Sequence, residues 1–317
     1  MKLLVTGGCG FIGSNFIRKT LKKYPDYKII NLDKLTYAGN PENLKDVDNN
    51  RNYQFIKGDI CDSKVVSDTA KTTDIIVNFA AESHVDRSIS NADPFLETNI
   101  MGTHILLKAA LKFNKKFLQI STDEVYGSIE QGSFDENSNL NPSSPYSASK
   151  TAADLLCLSY FITHKLKVNI VRSTNNFGPY QYPEKIIPLF ITNLLEGRKV
   201  PVYGDGKNVR DWLYVADNCE AIDLIMHNGK EGEIYNVSSG TEMPNIKLAE
   251  MLIDHTGKDK SFMEYIKDRK GHDRRYSLDS KKIRNLGWKP KLKFEEALKI
   301  TIDWYKNNRD WWGKLKQ

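Results

Sequence analysis

The chain has 317 residues, of which 40% are hydrophobic and 27% are charged, and its formal net charge is +6. This length suggests one large domain with a lobe, or two domains. The lysines are scattered and form no basic patch with interleaved aromatics, so no nucleic-acid partner is indicated, although a small anionic substrate is compatible. The four cysteines are far apart and the histidines lack metal-type spacing, so we expect no metal site. No apolar stretch approaches a membrane span, and we expect a cytoplasmic protein.

The first segment has the pattern of a dinucleotide-binding unit. An apolar run at 3–6 predicts a buried strand, a helix fits 12–23 and a second strand fits 28–33. Such a unit needs glycines that allow a tight turn, so that a pyrophosphate reaches the helix N-terminus. The glycines that fit either GxGxxG or GxxGxxG are Gly7, Gly8, Gly10 and Gly13. The alternative is a glycine turn that only packs the helix on the strand.

An acidic residue ends the second strand. Asp33 follows Gly13 by about 20 residues, the spacing expected for the acid that accepts ribose hydroxyls. Its charge would repel a 2′-phosphate, so NAD is favoured over NADP, although the neighbouring Lys34 softens that preference. With the acid in place, dinucleotide binding is the better interpretation of the glycine turn.

Strands and helices continue to alternate along the first half. Strands are predicted at 53–56, 74–79 and 116–120, and helices at 63–71 and 94–114. Regular alternation implies right-handed crossovers and therefore a parallel, doubly wound α/β sheet. Chemistry in such sheets gathers at the carboxyl ends of the strands.

Two adjacent acids follow the strand at 116–120. Asp123 and Glu124 lie beside Thr122, where the strand ends and a loop is predicted. The common fate of such a pair is to be solvated on a loop. If the pair is catalytic, one acid must be protonated while its neighbour is ionised, and two adjacent like charges push their titrations apart in this way.

A helix that begins at Pro145 carries the next candidate pair. Tyr146 and Lys150 are four residues apart, so both side chains lie on one helix face. A lysine ammonium beside a phenol favours the phenolate, which is a base. The alternative is a surface tyrosine with a solvated lysine, but the preceding dinucleotide-type unit favours the catalytic interpretation.

Regular alternation breaks down after a strand at 168–172. A helix fits 186–195, and a strand at 209–215 with a helix at 217–227 looks like a return to the sheet. Helices at 245–255 and near 294–304 complete a more polar, mixed region. We predict a dinucleotide-binding domain at 1–174 plus about 209–232. A smaller, mixed α/β substrate lobe takes about 175–208 plus 233–317.

Several motifs carry a resemblance to a known family. Residues 7–13, 146–150 and 173–179 resemble the extended short-chain dehydrogenase/reductase family, which has a Rossmann-type sheet. Within it, residues 33–40, 80–88, 121–127 and 268–276 are similar to the dTDP-glucose 4,6-dehydratases, and the likeness spans nearly the whole chain. The acid pair is the most specific part, because related epimerases and decarboxylases resemble this sequence without it.

The resemblance implies an NAD-dependent but redox-neutral dehydration of a nucleotide-activated hexose. Tyr146 would take the proton of the sugar 4-hydroxyl, with Lys150 holding the nicotinamide ribose. Glu124 would remove the C5 proton, Asp123 would protonate the departing 6-hydroxyl, and Thr122 would hydrogen-bond the 4-oxygen. The product would be a 4-keto-6-deoxy sugar.

The resemblance also implies two sets of binding residues. The residues expected to contact NAD, besides Tyr146 and Lys150, are Gly7, Gly10, Phe11, Ile12, Gly13, Asp33, Lys34, Leu35, Thr36, Asp59, Ile60, Ala80, Ala81, Ser83, Thr98 and Asn176. The residues expected to contact the nucleotide sugar, besides Thr122, are His84, Asn175, Lys185, Ile186, Ile187, Pro188, Leu189, Pro201, Val202, Tyr203, Arg210, Asn245, Arg269 and His272.

Three of these residues have a simpler alternative. Asn245 fits the N-cap of its helix, Arg269 lies in a charged run, and His84 is as well explained by a structural role. The sequence also departs from the family pattern at Cys9, where alanine is usual, and at Lys270, where proline is usual. The second change is expected to make the loop of Arg269 less rigid.

Other functions remain open on this scaffold. A nucleotide-sugar 4-epimerase or decarboxylase needs the tyrosine, the lysine and NAD but no acid pair, and a non-catalytic NAD-binding regulator typically lacks the Tyr/Lys pair. The resemblance further implies a homodimer in which the helices at about 94–114 and 146–165 form a four-helix interface.

Overall fold

A computed structural model describes residues 1–269 and 271–316. Its main feature is a seven-stranded, fully parallel sheet in the order β3-β2-β1-β4-β5-β6-β10. The strands of the chain are β1 (Lys2–Thr6), β2 (Lys28–Asp33), β3 (Tyr53–Lys57), β4 (Ile75–Asn78), β5 (Lys116–Thr122), β6 (Val168–Ser173), β7 (Asn175–Phe177), β8 (Val200–Tyr203), β9 (Val209–Tyr214), β10 (Ile234–Val237), β11 (Glu242–Pro244) and β12 (Met263–Ile266). The strand order confirms the predicted Rossmann-type sheet.

Helices cover both faces of this sheet. They are α1 (Phe11–Lys23), α2 (Ser63–Lys71), α3 (Val85–Ser90), α4 (Asp93–Phe95), α5 (Thr103–Lys112), α6 (Pro145–His164), α7 (Ile186–Leu195), α8 (Val215–Asn228), α9 (Asn245–His255), α10 (Lys281–Asn285), α11 (Phe294–Asn307) and α12 (Arg309–Gly313). Short 3₁₀ turns occupy Pro41–Leu44, Asp123–Tyr126 and Lys260–Phe262, and a π-helix occupies Leu96–Gly102. In the described part of the chain, no helix is both long and apolar enough to cross a membrane.

The central strands are apolar because both of their faces are buried. Side chains alternate along a strand, so Leu3 and Val5 of β1 point into one core while Leu4 points into the other. Helices α1 and α8 pack on the first face, and α2, α5 and α6 pack on the second. A third core lies in the smaller lobe, among α7, α9, α11 and the strands around them.

The predicted return of 209–215 to the large sheet is wrong. Strand β9 instead forms a three-stranded sheet with β7 and β11, and β10 is the strand that joins the large sheet beside β6. The reason is that β9 lies between two cores, with Trp212 in the core of the lobe and Leu213 in the core of the large sheet. An apolar pattern alone does not distinguish these positions. The predicted residue ranges of the two domains stay a prediction.

The predicted helix at 94–114 is interrupted by the π-helix. The wider turn carries Asn99, which is buried and bonds both backbone groups of Glu82 and the hydroxyl of Ser149. Asn99 therefore ties the end of β4 to α6. Helix α3, which precedes this region, was not predicted, and Asp62 rather than Ser63 caps α2. π-turns of this kind are frequent at functional sites.

Candidate active site

A cleft opens where the large sheet meets the smaller lobe. Its floor is made by residues at the carboxyl ends of β1, β2, β4 and β5, and one wall is made by residues 181–185. The predicted cofactor residues line this cleft, apart from Leu35 and Asn176, which lie outside it. Leu35 packs on the core and Asn176 bonds the backbone oxygen of Thr174 at 2.9 Å.

The glycine turn is shaped for close approach of the backbone. Gly7 has φ +68°, and a Cβ there would lie 2.5 Å from the backbone nitrogen of Ala80. A Cβ at Gly13 would lie 2.5 Å from the oxygen of Gly7, so α1 also depends on this glycine to pack on the turn. No side chain caps α1, and its first residues, Phe11 and Ile12, line the cleft. This helix end fits a diphosphate.

Asp33 is held at the end of β2 by two backbone donors. Its carboxylate accepts from the N–H of Cys9 at 2.9 Å and from that of Leu35 at 2.8 Å. Burial raises the pKa of Asp33, and the two hydrogen bonds oppose that shift. Lys34 pairs with Asp59 at 2.6 Å, so the cation expected to soften the NAD preference has its own partner.

The two acids lie in a tight turn, and a solvated loop is ruled out. Strand β5 runs two residues further than predicted, to Thr122, and the 3₁₀ turn follows at once. The Thr122 hydroxyl accepts from the N–H of Glu124 at 3.2 Å and donates to Asp123 at 3.1 Å. Asp123 is 3% exposed, and its Oδ2 has no hydrogen-bond partner among the described residues.

Burial and neighbouring charges separate the roles of the two acids. Burial, and then the charge of Glu124, raise the pKa of Asp123 to about 8, so Asp123 carries a proton at neutral pH. Burial also raises the pKa of Glu124, but the cations of Arg269, Arg210 and Lys185 oppose that shift. Since three cations favour its ionised form, Glu124 is the better base of the pair.

Tyr146 and Lys150 lie on the first turns of α6. Ser144 caps this helix by accepting from the N–H of Ser147 at 3.1 Å, which fixes where it begins. Both side chains are less than a tenth exposed, and the charges of Glu124 and Asp123 act on the pKa of Tyr146. The acid turn and the tyrosine therefore meet, as expected for one site.

The expected effect of Lys150 on the phenol is not seen in this structure. The Lys150 ammonium donates to the backbone oxygen of Ile120 at 2.6 Å. Burial, and then the charge of Glu124, raise the pKa of Tyr146. Burial lowers the pKa of Lys150, and the charge of Asp154 opposes this. Sequence spacing placed the pair on one face but did not reveal the carbonyl that binds the ammonium.

The predicted cations Lys185, Arg210 and Arg269 gather around Glu124. Lys185 lines the cleft and donates to the backbone oxygen of Ser83 at 2.9 Å. Arg210 is 5% exposed and lies 4.3 Å over the ring of Tyr276. The Nε of Arg269 is buried and finds no acceptor within the described ranges, so the expectation that this residue is only solvated is wrong. All three cations act on the pKa of Glu124.

Asn245 is not the N-cap of its helix. Pro244 holds that position and Asn245 is the first residue of α9. The side-chain oxygens of Asn245 and Asn175 are both buried, and each lacks a partner in the described part of the chain. Buried polar atoms are normally hydrogen-bonded, so two buried amide oxygens without a partner indicate contact with a ligand.

Other predicted substrate residues have structural contacts. His84 caps α3 by accepting from the N–H of Arg87 at 3.3 Å, and His272 bonds Asp268 at 2.6 Å. Ile187 and Val202 are buried in the core of the lobe, so they could reach a ligand only through their backbone. The other predicted contacts on α7 and β8 are Ile186, Pro188, Leu189, Pro201 and Tyr203. Lys270 lies outside the described residues.

Sequence reasoning missed several residues that line the cleft. They are Tyr37, Glu82, Ser121, Gln181, Tyr182 and Glu184. Tyr37 and Glu82 lie inside the stretches 33–40 and 80–88 that carried the resemblance, so the motifs contained a signal for them. Glu184 is 3.5 Å from the ring of His84 and 3.7 Å from the guanidinium of Arg87, a cluster that no sequence spacing indicates.

Comparison with known proteins agrees with this geometry. The model of the family described as GDP-mannose 4,6 dehydratase matches residues 4–301. The chain belongs to this family. It is 51% identical to the dTDP-glucose 4,6-dehydratase of Streptomyces niveus over 322 residues, covering 100% of this chain and 96% of the relative. The resemblance to the dTDP-glucose 4,6-dehydratases is thereby confirmed.

Among solved structures, a dTDP-glucose 4,6-dehydratase is more similar to this chain than an epimerase is. The dTDP-glucose 4,6-dehydratase DesIV of Streptomyces venezuelae was solved with NAD bound. It superposes with a TM-score of 0.97 at 50% identity, covering 99% of this chain and 100% of that one. A UDP-glucose 4-epimerase of Thermotoga maritima, solved with UDP-glucose, has a TM-score of 0.91 at 31% identity, with 98% and 100% covered. The epimerase is the more distant neighbour.

Proposed function

We propose that this protein uses NAD to dehydrate a nucleotide-activated hexose, dTDP-D-glucose, to the 4-keto-6-deoxy sugar and water. The observation that carries the proposal is the turn that holds Asp123, which is buried, and Glu124, which is partly buried, beside Tyr146. A 4-epimerization has no use for an acid that is protonated at neutral pH next to a base. The names of the relatives support the same reaction.

The glycine turn and the cleft floor fit NAD. The free N-terminal end of α1 suits the diphosphate, Asp33 the adenine ribose and Lys150 the nicotinamide ribose. When bound, NAD supplies a hydride acceptor for C4 and returns the hydride to C6. The solved relative DesIV binds NAD, which supports the assignment.

Tyr146 would begin the reaction by taking the proton of the sugar 4-hydroxyl. It must be ionised to do so, and both burial and Glu124 oppose ionisation. The Lys150 ammonium, on the same face of α6, is the charge that would favour the phenolate once it leaves the Ile120 oxygen. Thr122 would hold the 4-oxygen, because it lies at the end of β5, directly before the acid turn.

The acid pair would then remove water across C5 and C6. Oxidation at C4 makes the C5 proton acidic, and Glu124 as carboxylate would take it. The C6–O bond breaks as Asp123 gives its proton to the departing hydroxyl, so that one water leaves. The raised pKa of Asp123 keeps that proton available at neutral pH.

The lobe side of the cleft would bind the nucleotide diphosphate. Arg210, Arg269 and Lys185 supply positive charge there, and a guanidinium suits a phosphate through paired hydrogen bonds. Asn175 and Asn245 each offer a buried amide oxygen without a partner within the residues described, which can accept from an N–H or hydroxyl of the nucleotide sugar but not from its diphosphate. His84 and His272 would act by supporting the neighbouring segments, through the contacts already described.

Incubation with dTDP-glucose, UDP-glucose and other nucleotide-glucoses tests the proposal. We expect a 4-keto-6-deoxy product from dTDP-glucose, detected by mass spectrometry as loss of one water. Epimerised UDP-glucose with no dehydrated product from any donor would overturn it in favour of the epimerase alternative. A catalytically silent protein that binds NAD would favour the regulator alternative.

We also propose a cytoplasmic homodimer that pairs α5 and α6 across a two-fold axis. Support for this contact comes from large apolar side chains that are exposed on these helices and on the segments beside them. They are Ile89, Leu96, Met101, Leu111, Leu155 and Ile162, and their exposed fractions range from 37% to 65%. Such a cluster marks a site of protein contact. The four cysteines are free, which suits a reducing compartment.

Light scattering tests the dimer. The unchanged protein should have twice the mass of one chain, and Ile162→Asp should shift it toward the monomer. Ile300→Asp is the matched control, because Ile300 is 44% exposed on α11, away from the proposed contact. A monomeric unchanged protein contradicts this assembly.

A further inference from the structure

A buried ion pair lies directly beneath the acid turn. Arg172 of β6 and Asp154 of α6 are both almost completely buried, and Nε of the arginine lies 2.9 Å from Oδ2 of the aspartate. Burying two charges costs desolvation energy that their attraction often fails to repay. Stability alone therefore explains such a pair poorly, and its contacts indicate what else it does.

The ion pair holds both ends of the acid turn. Ser121, just before the turn, donates from its hydroxyl to Asp154 at 2.9 Å. Tyr126, the last residue of the turn, accepts from Nη1 of Arg172 at 2.8 Å and donates to Asn236 of β10 at 2.9 Å. Asp123 and Glu124 therefore lie between Ser121, which bonds one partner of the ion pair, and Tyr126, which bonds the other.

The same pair also reaches the helix that carries the tyrosine and the lysine. Asp154 follows Lys150 by about one helical turn on α6. Its charge opposes the fall in the Lys150 pKa that burial causes. The ion pair thus connects the acid turn, which follows β5, to the helix face of Tyr146 and Lys150 through the carboxylate of Asp154.

We propose that Asp154 and Arg172 are positioning residues that set the acid turn against the Tyr146–Lys150 face for water elimination. This rests on the proposed function. Neither residue lines the cleft, and they act through Ser121 and Tyr126. A misplacement of about 1 Å at a reacting group can cost about 100-fold in rate. The elimination step should slow more than C4 oxidation, because Asp123 and Glu124 both lie on the anchored turn.

The first test removes the ion pair without leaving a lone buried charge. The double variant Asp154→Leu with Arg172→Met replaces both charges by apolar groups, a change that folded proteins often tolerate. We expect kcat for dehydration to fall about 100-fold, with KM for dTDP-glucose within about 3-fold and bound NAD unchanged. In a single turnover the reduced nicotinamide should accumulate, seen by its absorbance, because C4 oxidation continues while elimination slows.

A milder variant keeps the test informative if the double variant fails to fold. Tyr126→Phe removes one hydroxyl that joins the turn to Arg172, and we expect kcat to fall about 10-fold with the same accumulation of reduced cofactor. The Arg172→Lys variant should restore part of the rate that Arg172→Met loses. In the double variant, Tyr126→Phe should cost little more, because its partner is already gone.

Asp223→Asn is the matched control. Asp223 is a buried carboxylate that binds Lys23 at 2.6 Å, far along the chain from the acid turn, and its loss should leave dehydration unchanged. Unchanged kcat in both Tyr126→Phe and the double variant would overturn the inference. So would a loss of kcat matched by equal losses of bound NAD and of C4 oxidation. If the unchanged protein makes no dehydrated product, it is the proposed function that has failed.

Discussion

The two halves of the cleft differ in how their charged groups are satisfied. In the cofactor half, the Asp33 carboxylate has two backbone donors and Lys34 is paired with Asp59, although the hydroxyl of Tyr37 lacks a partner among the described residues. In the substrate half, buried polar atoms lack partners in the described part of the chain. They are Oδ2 of Asp123, the side-chain oxygens of Asn175 and Asn245, and Nε of Arg269.

The difference follows from how each half is built. The cofactor half comes mostly from one contiguous β-α-β unit, whose local geometry fixes its own hydrogen bonds. The substrate half is collected from segments far apart in the chain, and it keeps groups that a ligand would complete. Unpaired buried groups cost free energy, so the substrate half should gain more stability from its ligand than the cofactor half does.

The largest expected effect is at the acid of the substrate half. Asp123→Asn removes the proton donor, and we expect kcat for dehydration to fall about 10² to 10⁴-fold while C4 oxidation persists. Glu124→Gln should instead block loss of the C5 proton, so a C5 deuterium in the substrate would not exchange with solvent. Exchange of the C5 label separates the two variants, and rapid-scan absorbance of the reduced nicotinamide shows that C4 oxidation persists. Full turnover by Asp123→Asn would remove this acid from the mechanism.

The cofactor half is tested at its glycine turn. In Gly7→Ala the new Cβ would lie 2.5 Å from the backbone of Ala80 in a residue with φ +68°, so bound NAD should largely be lost. Gly257→Ala is the control, since Gly257 has the same φ and open space around its Cβ position. Backbone strain of about 1–3 kcal/mol is common to both variants. Equal effects on bound NAD, measured by absorbance, would show that the close approach does not matter.

A smaller effect is expected at an unpaired amide. Asn245→Ala should raise KM for dTDP-glucose about 10-fold with little change in kcat, and it should stabilise the ligand-free protein by about 1 kcal/mol. Asn43→Ala is the contrast, because Asn43 bonds the oxygen of Cys9 and the indole of Trp311, and its loss should destabilise the protein. Thermal unfolding gives the sign of each change. Destabilisation by Asn245→Ala would mean that its oxygen has a partner after all.

The most gradual effect concerns pH. Because burial raises the pKa of Asp123 from 3.8 to about 8, the folded protein keeps a proton that the unfolded chain releases. The free energy of unfolding of the ligand-free protein should therefore fall as pH rises from about 4 to about 8, and less so in Asp123→Asn. Dehydration should also decline above about pH 8, as the acid loses its proton. A pH-rate profile that stays flat through pH 9 would contradict this assignment.

Local patterns predicted most of the fold and half of the site. The alternation of β1, α1 and β2, the glycine turn, and the Tyr146–Lys150 pair depend on neighbours in sequence, and each was found where expected. The sequence predicted β9 in the large sheet, where the structure has β10, because the side chains of β9 are apolar toward two different cores. Sheet membership is decided by which core an apolar strand joins, and that information is not local.

The missing part of the site depends on contacts between distant segments. The bond from Lys150 to the oxygen of Ile120 and the cations that favour ionised Glu124 come from packing, so no spacing reveals them. The resemblance to known dehydratases supplied Arg210, Arg269 and Asn245, which composition and periodicity do not single out. The burial of Asp123 is known only from the structure, because the sequence shows two adjacent acids but not whether their side chains are buried.

One measurement tests the central claim most directly: the fate of a deuterium placed at C4 of dTDP-glucose. Redox-neutral dehydration predicts a product that has lost one water and carries the deuterium at C6, located by mass spectrometry and NMR. An epimer with deuterium retained at C4, or no loss of water, would contradict the account.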